Sequence, residues 1–194
     1  RNRIISFLGG YHGDTFAAMS VCDPEEGMHS LFKGVLPAQH VVPLPITESD
    51  FEQFKTFLRT HSDQCAAVIV EPLVQGAGGM RMYEAIVLRR LRAACDERGL
   101  LLIFDEIFTG FGRTGSMFAH EESGVVPDIM TLSKALTGGT MALAATVASE
   151  KVYQAFLSKE ADSALMHGPT YMANALACAA ANASFDLFEW EPRL

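Results

Sequence analysis

The sequence lacks most of the patterns that mark a specialised partner. Cys22, Cys65, Cys95 and Cys178 form no Cys-x-x-Cys pair, and four dispersed cysteines make no disulfide framework. A reducing compartment, by default the cytoplasm, is expected. None of the 6 histidines has a metal-ligand spacing such as His-Glu-x-x-His. No apolar run is long enough to span a bilayer, and the N-terminus has no signal-peptide pattern, so no membrane partner is expected. Basic charge is also scarce. Against 23 Asp and Glu there are 15 Lys and Arg, and the net charge of -8 argues against a nucleic-acid surface. The only basic cluster, Arg89-Arg90-Leu91-Arg92, falls on a predicted helix, where a solvated face is the simplest reading.

What is present is the composition of a globular domain. At 49% hydrophobic and 20% charged residues, the 194-residue chain can bury one substantial core. Short apolar runs at 4–8, 40–44, 66–71, 100–105, 128–132 and 142–148 do not alternate, as expected for strands covered on both faces. Helical patterns fall between them. Ser49-Asp50-Phe51-Glu52 matches a capping box and opens a helix to about Thr60. Residues 83–98 place Ile86, Leu88, Leu91 and Ala94 at helical spacing, with Gly99 where a closing glycine belongs. A last helix over 173–190 stops at Pro192-Arg193-Leu194. Alternating strands and helices predict an α/β fold, a mainly parallel sheet flanked by helices.

Two strands deliver ionisable groups at their carboxyl ends, where open parallel sheets bind ligands. Leu101-Leu102-Ile103-Phe104 leads into Asp105-Glu106, and Thr131-Leu132-Ser133 leads into Lys134, one of 5 lysines. An amine and a carboxylate held together suit pyridoxal 5'-phosphate, which needs a lysine for its Schiff base and an acid against its pyridinium nitrogen. The apolar neighbours of Lys134 predict a desolvated, nucleophilic amine; a lysine reaching into water is the alternative. Asp105 taken alone also fits an N-cap or a metal ligand. Gly9-Gly10-Tyr11-His12-Gly13-Asp14-Thr15 follows the first strand, and there an aromatic ring can stack on a flat cofactor or simply fill a turn. His167-Gly168-Pro169-Thr170 precedes the last helix, as an anion site or with Thr170 as a cap. Arg113 fits a substrate carboxylate or a surface acid. Glu71 ends another strand and is otherwise a solvated terminus.

Phe104-Asp105-Glu106-Ile107-Phe108-Thr109-Gly110-Phe111-Gly112-Arg113-Thr114-Gly115, followed by Ser133-Lys134-Ala135-Leu136-Thr137-Gly138-Gly139, resembles the class III (ω-type) aminotransferases of the fold-type-I pyridoxal-phosphate enzymes. The resemblance implies that Lys134 carries the cofactor and shuttles protons, that Asp105 meets the pyridinium nitrogen, and that Tyr11 stacks on the ring with His12 nearby. It implies that Thr170 binds the phosphate across a homodimer interface. Tyr11, Asp14, Lys134, Gly168 and Arg113 would contact substrate, and Glu71 would be a gating acid. Tyr11-His12-Gly13-Asp14-Thr15, Met19-Ser20-Val21-Cys22-Asp23-Pro24, Met28-His29-Ser30-Leu31-Phe32-Lys33-Gly34 and Met166-His167-Gly168-Pro169-Thr170-Tyr171-Met172 look like the branch of that family serving biotin biosynthesis. That branch implies S-adenosylmethionine and 8-amino-7-oxononanoate as substrates. Another ω-aminotransferase, working on a different amine with pyruvate or 2-oxoglutarate, is the rival; an inactive fragment is the other. Phe108 departs from the glutamine that many class III members carry. Residues 1–194 are expected to form the central part of the cofactor-binding large domain, without the N-terminal segment and the C-terminal small domain.

Overall fold

In the structure, a computed structural model, residues 1–25, 27–32 and 34–191 are described. Lys33, in the Met28-to-Gly34 motif, and the Pro192-Arg193-Leu194 terminus lie outside the described residues. The chain runs β1 (Arg3–Phe7), α1 (Phe16–Met19), β2 (His40–Val42), α2 (Glu48–His61), β3 (Cys65–Val70), β4 (Val74–Gln75), β5 (Arg81–Met82), α3 (Ile86–Arg98), β6 (Leu101–Asp105), β7 (Ile129–Leu132), β8 (Ala145–Ala148), α4 (Glu150–Gln154) and α5 (Ala175–Trp190).

Six strands form one sheet in the order β2-β1-β3-β6-β7-β8. Every pairing is parallel except β7–β8, where Met130 faces Val147 in antiparallel register. The predicted last strand over 142–148 thus contracts to Ala145–Ala148 and reverses direction. A short hairpin, β4 with β5, went unpredicted because its strands are only two residues long and flank the Gly76-Ala77-Gly78-Gly79 run. Gly78 has to be glycine. A Cβ there would sit 1.9 Å from the carbonyl oxygen of Gly9, so the bare backbone lets the hairpin lie against the loop after β1.

The main core lies between the sheet and helices α2 and α3. Phe51, Phe54 and Leu58 of α2 and Val87, Leu88, Leu91 and Cys95 of α3 pack with Ile5, Phe7, Val68, Leu102 and Phe104. The α2 cap differs from expectation. Thr47 is the N-cap, accepting from Asp50 N, while the Asp50 carboxylate returns to Thr47 N at 2.8 Å. The reciprocal pair sits two residues before the predicted one, and Ser49 falls inside the first turn. Gly99 closes α3 in the left-handed conformation as predicted. The helix itself starts at Ile86, because residues 83–85 lead out of the hairpin.

The basic cluster on α3 is not a freely solvated face. Leu91 is wholly buried, Arg89 Nη1 donates to Ser123 O, and Arg90 pairs with Glu48 at 2.7 Å. Arg92 meets Asp128 at 2.7 Å, and the same carboxylate accepts Leu102 N. Burial works against ionised Asp128, but the Arg92 guanidinium and the Leu102 amide outweigh it and hold the carboxyl below its usual range.

A second, smaller cluster joins Phe111, Leu132, Leu136 and Ala181. Here α5 packs its small residues, Ala177, Ala181 and Ser184, against the turn that begins at Lys134. Its N-cap is Asn174, whose Oδ1 accepts from Leu176 N and Ala177 N. Thr170 therefore does not cap the helix, and the helix begins two residues later than expected.

Candidate active site

Four neighbouring parallel strands end on the same rim, and each hands over residues that the sequence singled out. After β1 come Tyr11 and His12, after β3 Glu71, at the end of β6 Asp105, and after β7 Lys134. Parallel registry makes this unavoidable. Val70 sits beside Phe104, and Asp105 sits beside Thr131, so the residues that follow share one edge. They surround a cavity of about 270 Å³ lined by Tyr11, His12, Asp14, Glu71, Phe108 and Lys134, with Asp105 at its base.

Asp105 is fixed on every side. Its Oδ2 lies 2.7 Å from His12 Nδ1, both side chains being almost fully enclosed. Its Oδ1 accepts from Ile107 N at 3.1 Å and from Thr131 Oγ1 at 3.2 Å. Such partners keep a carboxylate oriented even where water is scarce. Glu71 is also buried, which overturns the solvated-terminus alternative. It accepts Tyr11 N at 2.9 Å and Gly76 N at 2.8 Å, yet burial outweighs these bonds and raises its pKa. Tyr11 donates its hydroxyl to Asp14 Oδ1 at 2.6 Å, and that bond, with burial, pushes the phenol up to about 12. Behind it the His29 ring stacks at 5.8 Å.

Lys134 differs from the local expectation: its side chain is exposed at the cavity mouth rather than desolvated. Its backbone has φ 48°, a left-handed conformation that costs a non-glycine residue on the order of 1 kcal/mol. The turn is held by packing. Leu136 is buried, and Ser184 of α5 donates to Ala135 O at 3.3 Å. Lys134 Nζ lies 5.3 Å from the centroid of Phe108. Arg113 does not line this cavity. Its Nε donates to Phe108 O, its guanidinium lies 4.8 Å from the same ring, and it borders a neighbouring cavity. Gly168 and Thr170 stand in an exposed segment away from the lining.

Glu106 escaped the sequence reading. It is completely buried and accepts four hydrogen bonds: Thr109 Oγ1, Ala119 N, His120 N and, at 3.0 Å, His120 Nδ1. It staples the loop that carries Phe108 and Arg113. The available signal was a charged residue set directly after a buried strand. Among the described residues, no cluster of His, Cys, Asp and Glu could hold a metal ion, so the metal alternative for Asp105 has no support. No described helix is long and apolar enough to cross a membrane.

A buried strand-end carboxylate and a strained strand-end lysine thus share one cavity. The chain belongs to the class III aminotransferases, the family matched by residues 1–193. It is 48% identical to the adenosylmethionine-8-amino-7-oxononanoate aminotransferase of Corynebacterium glutamicum over 97% of this chain and 46% of that protein. To the enzyme of that name from Mycobacterium leprae it is likewise 48% identical, over 100% of this chain and 46% of the other. Among solved structures, the enzyme of that name from Methanocaldococcus jannaschii superposes with TM-score 0.90 at 37% identity, covering 99% of this chain and 45% of the other. An amine transaminase from an uncultivated Pseudomonas species, solved in its PLP-bound form, also gives 0.90, at 35% identity, covering 99% and 46%. The chain spans about half the length of the curated relatives it matches.

Proposed function

We propose that this chain is the central part of the cofactor-binding domain of an aminotransferase that moves the amino group of S-adenosylmethionine onto 8-amino-7-oxononanoate, giving 7,8-diaminononanoate. The observation that carries the reading is the convergence of Asp105 and Lys134 on one cavity with an aromatic wall. The narrower substrate pair is supported by the printed names of relatives 38–48% identical to it.

The residues fit pyridoxal phosphate. A primary amine, an enclosed carboxylate and two aromatic rings, Tyr11 and Phe108, line the same cavity. When bound, the cofactor supplies an electron sink for the carbon that bears the amino group. Asp105 would meet the cofactor's ring nitrogen, and His12 Nδ1 and Thr131 Oγ1 keep its carboxyl from turning away. Lys134 Nζ would move the proton at the substrate carbon that bears the amino group. Its turn, braced by α5, holds the amine over Phe108 while it does so. Asp14, bonded to Tyr11, presents carboxylate to an incoming amine. Gly168 and Thr170 lie away from this cavity, so the reading has a second copy of the chain supply Thr170 to the phosphate in a cytoplasmic homodimer.

The test uses the full-length protein loaded with pyridoxal phosphate. Adding S-adenosylmethionine is expected to replace the visible band of the lysine-bound cofactor with the near-ultraviolet band of its amine form, and Lys134→Ala is expected to abolish the change. Conversion by simple amines but not by S-adenosylmethionine moves the chain to the broader ω-aminotransferases.

A further inference from the structure

We propose that Phe108 is the specificity-determining wall of this site, setting how much bulk a substrate may carry beside Lys134; the inference rests on the aminotransferase reading above. A second cavity of about 600 Å³ adjoins the catalytic one, with Ile46, Leu73, Val74, Met80 and Met82 along it. Among the described residues, Phe108 is the one member common to both linings. Its ring stands between two cations. Lys134 Nζ, from the catalytic cavity, lies 5.3 Å from the centroid, and Arg113 Cζ, from the larger cavity, lies 4.8 Å from it.

On one side the ring has no room to move: a Cβ on Gly76 would come within 2.7 Å of Phe108 Cδ1, so only a glycine fits beside it. The Gly76 amide is in turn tied to Glu71 at 2.8 Å. One aromatic ring thus separates Lys134 from a larger space with an apolar side, Leu73, Val74, Met80 and Met82, and a polar one that includes Glu84, Arg113 and Glu122. Amines that are slim at the nitrogen-bearing carbon fit as the site stands, and a bulky apolar group at that carbon meets the ring. Removing the ring joins the two cavities and gives such a group an apolar bed.

The full-length, cofactor-loaded protein and its Phe108→Ala and Phe108→Leu variants test this with two pairs of probes. Rates of amine-driven spectral conversion compare propylamine with 1-phenylethylamine. Calorimetric affinities compare the unreactive propionate and 2-phenylpropionate, which differ in bulk on the carbon next to the polar group and need no catalysis. Phe108→Ala is expected to favour the bulky member of each pair by at least ~10-fold, the gain from burying about 60 Å² more apolar surface. Phe108→Leu keeps most of the bulk and loses the aromatic face, so its ratios are expected to stay within roughly threefold of the parent. A folded Phe108→Ala with unchanged discrimination overturns the proposal, as does Phe108→Leu matching Phe108→Ala. Should Phe108→Ala fail to fold by circular dichroism, Phe108→Val carries the same expectation with a smaller shift. Should neither these amines nor S-adenosylmethionine convert the cofactor in any variant, the aminotransferase reading falls by itself, and the acid pair still decides the wall.

Discussion

Two regions of this molecule use apolar side chains in opposite ways. Between the sheet and helices α2 and α3, large side chains such as Phe7, Phe51, Leu88, Leu91 and Phe104 are shut away almost completely. From α4 onward, Tyr153, Leu157, Leu165, Met166, Tyr171, Leu187 and Trp190 stand in the open, and α5 buries chiefly Ala177, Ala181 and Ser184. The two buried carboxylates of the cavity, Asp105 and Glu71, hang from the first region and the lysine turn leans on the second. Asp105 and Glu71 are set by a well-filled core, while Lys134 is set by a small contact through Ala181, Leu136 and Phe111.

Matched truncations break the comparison most sharply. Leu88→Ala is expected to cost about 3 kcal/mol in urea unfolding, because a fully buried side chain leaves a cavity. Leu187→Ala on the open face of α5 is expected to change stability by less than about 0.5 kcal/mol. Equal losses would mean that the two regions form one core.

The next effect lies at the loop between them. Glu106→Ala leaves Ala119 N and His120 N without their acceptor, at a cost of about 2 kcal/mol. If a calorimetric melt shows no loss, Glu106 does not staple the loop.

The smallest effect sharpens the electrostatics of the first region. Asp128 has its pKa lowered in the folded chain, so its contribution is present above the ordinary carboxylate pKa and fades as pH falls through the lowered value. Asp128→Asn is expected to cost about 1 kcal/mol near neutrality and progressively less in acid. A cost independent of pH would point to lost packing instead. Glu71 has the opposite sign. Its raised pKa contributes stability below its ordinary value, and that contribution disappears as pH rises through the raised one.

Much of the site was legible in the residues because a parallel sheet has few ways to present them. An apolar run ending in Asp105 and another ending before Lys134 had to share an edge once both strands ran the same way. Tyr11 and Glu71 followed from the same reasoning, since they trail β1 and β3. Glu106 did not, because neither spacing nor propensity says that a loop will fold back over a carboxylate and fill it with donors. Capping was legible in kind but not in place: Thr47 and Asp50 carry the same signature as Ser49 and Glu52, and the folded chain uses the earlier pair.

By itself the sequence determined the strand–helix alternation, the class III signature and the four strand ends that bear chemistry, since these depend on local periodicity and residue type. The reversal of β8, the exposed and strained setting of Lys134, the removal of Arg113 to a neighbouring cavity and the partition by Phe108 were decided by tertiary structure alone. Most of these depend on which surfaces meet across long stretches of chain, and such contacts leave no periodic trace in the residues that make them.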